Sequence, residues 1–143
     1  MHISRMQAKH LDQVTILSDQ LGYPCTVNEI TKRFFDISKS AKHALFVATD
    51  AKDHVYGWIQ VNQETASLVA GDRAEVSALI VDEKARGKSI GSLLLKEAEK
   101  WATTNNLPLV RVRSNTKRDG AHRFYEREGY TLTKSWNLFT KNL

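Results

Sequence analysis

Apolar residues along this chain change period several times, and each change marks an element. Leu11, Val14, Leu17 and Leu21 recur at the spacing of one helical face and predict a helix of about four turns that stops at Gly22. Past Pro24, Thr26-Val27-Asn28-Glu29 has the form of a capping box, and Ile30, Phe34 and Ile37 give the next helix its apolar stripe. The period then shortens to two. Ala44–Thr49 and Val55–Val61 read as strands around a turn at residues 50–53, a hairpin, and residues 62–73 read as polar and irregular. Val76–Val81 is a continuous apolar run of strand length, the pattern of a strand buried on both faces.

Helical spacing returns after Gly87, with Ile90, Leu94, Ala98, Trp101 and Ala102 inside and Lys96, Glu97 and Lys100 outside. Leu109–Arg113 is a short strand. Asp119 can cap a helix running to Gly129, which stands where a left-handed C-terminal glycine belongs. Tyr130–Thr133 and Trp136–Thr140 read as closing strands. The order βααβββαβαββ predicts an α/β (α+β) fold, a mixed sheet with helices on its faces. Neither a repeat nor a linker interrupts it, so residues 1–143 read as one domain.

Composition narrows the field. A chain of 143 residues, 41% hydrophobic and 26% charged with 7 Gly and 2 Pro, is neither collagenous nor driven to disorder by charge. No apolar run approaches the ~20 residues of a membrane span, and the N-terminus lacks the hydrophobic core of a secretory signal. The single cysteine, Cys25, excludes an internal disulfide framework and fits a reducing, cytoplasmic setting. Net charge is +5 but uneven: residues 1–82 hold 8 Lys and Arg against 10 Asp and Glu, a balance of −2, and residues 83–143 hold 13 against 6, a balance of +7. A basic half invites a polyanion. Its basic residues are interspersed with acids, as in Lys96-Glu97-Ala98-Glu99-Lys100, which is unlike the clustered stripe of a nucleic-acid module.

The passage from strand 76–81 into the next helix carries the first chemistry. Arg86-Gly87-Lys88-Ser89-Ile90-Gly91 places small residues at a helix N-terminus, where unpaired N–H groups and a partial positive charge suit phosphate. The pattern is neither a Walker A loop nor a GxGxxG fingerprint. Close packing alone would also explain the small residues.

This loop resembles the [QR]xxGx[GA] acetyl-CoA loop of the GNAT superfamily of N-acetyltransferases, with Ser89 in place of the middle glycine. The run from Ser114 to Tyr130 is similar to the SNxxRxxAHxFYxxxG[FY] stretch of its small-molecule members, among them aminoglycoside and aminoalkylphosphonate acetyltransferases. The resemblance implies a mostly antiparallel central sheet in which strands 76–81 and 109–113 are parallel neighbours that splay apart. Acetyl-CoA would lie in that wedge. Its pantetheine would pair with backbone at Leu79, Ile80 and Val81, and its pyrophosphate would rest on the loop Arg86, Gly87, Lys88, Ser89, Ile90 and Gly91. Asn115, Ala121 and Phe124 would sit beside the cofactor. Glu75, eleven residues before Arg86, stands where many members carry a carboxylate base, and Tyr125 matches the tyrosine that acts as general acid. The implied reaction is direct transfer of acetyl to a primary amine of a small molecule. Family likeness also implies that two copies can pair through their terminal strands.

Each residue has a plainer reading beside this one. Glu75 could be a solvated strand-end carboxylate, Tyr125 a core tyrosine with Ala121 and Phe124, and Asn115 an Asx turn. His122 and Glu126 share a helix face but lack a third ligand, so they read as a surface pair rather than a metal site. Cys25 precedes a helix N-terminus, yet nothing supplies the relay a nucleophile needs. Tyr23, Phe35 and Trp58 could line a substrate pocket or pack in the core. Acetylation of a protein lysine or N-terminus, a binding-only domain and a basic nucleic-acid module are the alternative functions.

Overall fold

The computed structural model describes residues 1–65, 67–113 and 119–143, in two units, Met1–Val112 and Arg113–Leu143. In the first unit the chain runs through β1 (His2–Arg5), a 3₁₀ turn at Ala8–His10, α1 (Leu11–Gln20), α2 (Val27–Ser38), β2 (His43–Thr49), β3 (Val55–Thr65), β4 (Asp72–Val81), a second 3₁₀ turn at Glu83–Ala85, α3 (Ile90–Thr104) and β5 (Val110–Val112). The sheet keeps chain order, β1-β2-β3-β4-β5; the first three pairings are antiparallel and β4–β5 is parallel. This is the expected mixed, mostly antiparallel sheet. Among the described residues no helix is long and apolar enough to cross a membrane.

Local chemistry explains where the helices begin and end. Thr26 Oγ1 accepts from the Glu29 N–H at 3.1 Å while Glu29 Oε1 accepts from the Thr26 N–H at 3.2 Å, so the capping box starts α2 as the sequence predicts. α1 closes with Gly22 at φ +85°, the Gly22 N–H on the Asp19 carbonyl and the Tyr23 N–H on the Ser18 carbonyl. This paired closure satisfies carbonyls the helix itself cannot. His10, 2% exposed, accepts the Gln7 N–H at Nδ1, which leaves Nε2 as the protonated nitrogen, 3.3 Å from Asp53 Oδ1. That contact ties the start of α1 to the β2–β3 turn, and Lys9 beside Asp53 holds its carboxyl below the ordinary range.

The two sheet faces hold different helices. Leu11, Val14 and Leu17 of α1 join Met6, Val47, Val55 and Ile80 in one buried cluster, against which Ile30 and Phe34 of α2 and Trp58 also pack. On the other face Ile90, Leu94, Leu95 and Ala98 of α3 are at most 2% exposed. Each such leucine or isoleucine stabilises the fold by about 1.5–3 kcal/mol, more than helix propensity supplies. Gly57 makes room for them: a Cβ there would stand 2.8 Å from the Ile80 carbonyl oxygen and 3.2 Å from a Leu94 methyl. Gly57→Ala is therefore expected to destabilise the protein by about 1–3 kcal/mol, read as a lower urea midpoint at unchanged slope.

Several expectations need correction. The tract 62–73 is not irregular throughout, because β3 runs on to Thr65 and β4 starts at Asp72. Polar residues at every second position, Gln60, Asn62 and Glu64, continue a strand whose one face is polar. β4 is buried on both faces only in part: Ala74 and Val76 are buried on the α3 side and Ile80 on the α1 side, whereas Ser77 is exposed and Ala78, Leu79 and Val81 are half-buried. Tyr130–Thr133 and Trp136–Thr140 are not strands: α4 (Asp119–Arg127) is followed by a tract without regular structure, and Leu132, Leu138 and Phe139 are exposed. Alternating apolar residues give a tract strand propensity, but a strand exists only in a ladder. In this second unit α4 closes as predicted, with Gly129 at φ +91°, its N–H on the Glu126 carbonyl and the Tyr130 N–H on the Tyr125 carbonyl.

Candidate active site

β4 carries one residue more than its partner. Gln60 faces Ala78 and Val61 faces Val76, so Ser77 is the extra residue of a β-bulge. Arg73 and Glu75 before the bulge, and Ala78 and Ile80 after it, lie opposite Glu64, Asn62, Gln60 and Trp58 of β3, and so share the face that α1 covers. Asn62 donates to Ser77 Oγ at 3.1 Å and meets His43 Nδ1 at 2.7 Å, tying the bulge to β2.

β5 is short, and its shortness matters. It pairs with β4 only at Ala74–Val76, opposite Val110–Val112. Over Ser77–Val81, β4 keeps its ladder to β3 and has no strand on the other side among the described residues. An open strand edge offers N–H and C=O groups to an extended ligand. Leu79, Ile80 and Val81, expected at the cofactor, lie on this edge. Ile80 is 7% exposed and its side chain belongs to the core, so only its backbone can serve a ligand.

Glu75 sits on the last stretch that β4 and β5 share. Arg111 Nη2 donates to Glu75 Oε2 at 3.1 Å and to Glu64 Oε2 at 2.9 Å, and Arg73 Nε lies 3.6 Å from the same Glu64 oxygen. The Glu75 side chain is 14% exposed, against 34% for Glu64. Burial pushes the Glu75 carboxyl above its ordinary 4.5, and the neighbouring Glu64 pushes the same way; Arg111 opposes both. Glu75 is thus not a solvated strand-end carboxylate. Sequence reading missed Glu64, Arg73 and Arg111, although Val110-Arg111-Val112 alternates in the way that places Arg111 on one face.

Beyond β4 the chain turns sharply into α3. Asp82 accepts the Lys84 N–H at 3.0 Å, Ala85 is 2% exposed, and Gly87 takes φ +81°. Ser89, at φ +61°, is the N-cap of α3 but makes no side-chain cap bond, and the first turn of α3 holds no acidic residue. The positive end of the helix therefore meets a loop of small residues with Arg86 and Lys88 exposed beside it. Ile90 is 2% exposed, so it too can offer a ligand only backbone. Ser89 stands in the left-handed region, which explains physically why a glycine would suit that position. Ser89→Gly is expected to relieve this conformation and raise unfolding free energy by about 1 kcal/mol, measured by urea titration.

In the second unit Ala121, Phe124 and Tyr125 lie half-buried on one face of α4, and the Tyr125 ring packs edge-on against Phe124 and Tyr130 at centroid distances of 5.1 and 6.0 Å. Asn115 lies outside the described residues. Tyr23 and Phe35 are about half exposed, while Trp58 donates to Ser18 Oγ at 3.3 Å on the face shared with Glu75. Cys25 accepts from Arg33 at 3.2 Å. Among the described residues no three His, Cys, Asp or Glu side chains could hold a metal ion. A cleft of about 640 Å³ between α2, β2 and the end of α3, walled by Phe34, His43 and Trp101 among others, contains none of the candidate residues.

A bulged strand that pairs with its parallel neighbour only over Ala74–Val76 and leads into a small-residue loop at a helix N-terminus belongs here to a fold shared with solved N-acetyltransferases. The aminoglycoside 6′-N-acetyltransferase AAC(6′)-Ig of Acinetobacter haemolyticus superposes with TM-score 0.86 at 12% identity, over 100% of this chain and 99% of that one. AAC(6′)-Iy in complex with the bisubstrate analogue CoA-S-monomethyl-acetylneamine gives TM-score 0.88 at 14% identity, over 99% and 98%. Those likenesses are of fold. The model of the acetyltransferase (GNAT) family matches residues 13–130, and the chain belongs to that family. The aminoalkylphosphonate N-acetyltransferase of Salmonella typhimurium is 39% identical over 89 residues, which is 62% of this chain and 56% of that protein. The match spans about half the length of each of the curated relatives.

Proposed function

We propose that this chain, acting as one domain, is an acetyl-CoA-dependent N-acetyltransferase that acetylates a primary amine of a small molecule by direct transfer. The observation that carries the reading is Glu75, a half-buried carboxylate held 3.1 Å from Arg111 on the last stretch over which β4 and β5 pair. Acetyl-CoA fits what surrounds it: the open β4 edge at Leu79–Val81 suits an amide-bearing arm, and the loop from Arg86 to Gly91 suits a pyrophosphate. The likeness of residues 114–130 to the family's motif supports Asn115, Ala121 and Phe124 as further cofactor contacts.

The chemistry then divides among named groups. An alkylammonium must lose a proton before its nitrogen can attack, and Glu75 takes that proton directly or through one water. The amine nitrogen forms a bond to the acetyl carbon, a main-chain N–H of β4 polarises the carbonyl, and the carbon–sulfur bond breaks. Tyr125 gives its proton to the departing thiolate, and the second proton, which the acetylated nitrogen sheds to become an amide, returns to the Tyr125 oxygen by way of solvent. An aminoalkylphosphonate is a suitable acceptor class, given the Salmonella relative.

Thiol release from acetyl-CoA across a panel of aminoalkylphosphonates, aminoglycosides and a lysine peptide tests this. Release that rises and saturates with a small amine is the expected result. Release that ignores every small amine would overturn it, and release with the peptide alone would reassign the acceptor.

A further inference from the structure

Glu75 and Glu64 compete for one nitrogen. Arg111 Nη2 is 3.1 Å from Glu75 and 2.9 Å from Glu64, and both glutamates approach it through Oε2. Glu64 also has Arg73 Nε at 3.6 Å, and that nitrogen is buried without a hydrogen bond. The ion pairs bring together Glu64 on β3, Arg73 and Glu75 on β4 and Arg111 on β5, and the titratable His43 of β2 stands in the same cross-strand row as Glu75, joined to Asn62 between them at 2.7 Å. The Arg33–Glu29 ion pair of α2 runs along its own helix.

The geometry assigns Glu64 and Arg111 a positioning role: through the shared guanidinium nitrogen they govern how tightly Glu75 holds its proton. The inference rests on Glu75 as the base only where it touches rate. Glu64 acts in two ways, drawing Arg111 away from Glu75 and setting a second negative charge beside it. Both favour the protonated form of Glu75. Arg111 favours the ionised form. With side chains only 14–34% exposed, these interactions are screened much less than surface pairs.

Opposite signs follow. Glu64→Gln removes the competitor, so Glu75 should titrate lower by about one pH unit, the low end of what a nearby charge produces. Arg111→Gln should move it upward, and Arg111→Lys, which keeps the charge, should return it most of the way. The titration is read directly from the Glu75 side-chain carboxyl carbon by NMR on ¹³C-glutamate-labelled protein, assigned by the signal that Glu75→Gln removes. Each variant's spectrum also reports whether it is folded, and Glu64→Gln keeps shape in a half-exposed position.

If Glu75 titrates at the same pH in wild type and Glu64→Gln, the inference is overturned whatever happens to activity. A pH profile of kcat/KM for the same variants separates the two ideas. An acid limb that follows the NMR titration supports both. A titration that moves while the limb stays still supports the coupling and removes Glu75 as base.

Discussion

Glu75→Gln is expected to lower kcat/KM by about 10²–10⁴-fold, the usual contribution of a positioned general base. The amide keeps the shape of the side chain but cannot accept a proton. Arg111 retains Glu64 as its partner at 2.9 Å, so the substitution leaves no cation stranded. The loss should be greatest where the amine is protonated, and raising the pH should recover part of it because free amine then forms unaided. If Glu75 is the base, the wild-type acid limb should lie above the ordinary 4.5 of a glutamate, since its surroundings favour the protonated form. Stability responds to pH in the opposite sense to the rate. A carboxyl whose folded pKa is raised binds more protons folded than unfolded, so its contribution is complete below the ordinary 4.5 and is lost as pH rises through the folded value. Glu75→Gln should therefore flatten that decline in urea midpoints compared between acid and neutral pH. A variant with wild-type rates across the pH range would return the task to solvent.

Tyr125→Phe should reduce turnover by about 10–1000-fold and leave acetyl-CoA affinity nearly unchanged. Phenols of ordinary pKa, near ~10, hold their proton at neutral pH and can protonate a leaving thiolate. Thiolate is a tolerable leaving group by itself, which limits the loss. The substituted ring keeps its edge-on contacts with Phe124 and Tyr130, so α4 should fold as before. Turnover measured at saturating amine, with cofactor affinity from calorimetry, separates chemistry from binding. Turnover within a factor of two of wild type would make the hydroxyl structural.

Helices and their ends were largely legible because their causes are local: a capping box at Thr26–Glu29 and glycines at 22 and 129 act within a few residues. The strand–loop–helix passage through Arg86–Gly91 was legible for the same reason. What the sequence did not show depends on partners far along the chain. Arg111 meets Glu64 and Glu75 across 47 and 36 residues, and no spacing rule links them. The reach of β3 to Thr65 is fixed by its pairing with Asp72 rather than by composition. The converse error occurred at 130–140, where alternation promised strands that only a ladder could have made.

The single extra residue at Ser77 keeps the whole of β4 in phase with two different demands. Numbers on the α1 face are odd before it, Arg73 and Glu75, and even after it, Ala78 and Ile80. The bulge therefore carries the phase of the strand. Were β4 to run evenly through Ser77 with Ile80 in its core seat, Glu75 would turn to the opposite side, beneath α3, and Ala74 and Val76 would occupy the polar face, whereas deleting Ser77 would leave an even strand with Glu75 still on the side of Ile80. Substitutions along β4 can be judged one side chain at a time, whereas a deletion keeps the two faces in phase only where it takes up the bulge. Genetic drift that shortens this strand should accordingly do so at Ser77.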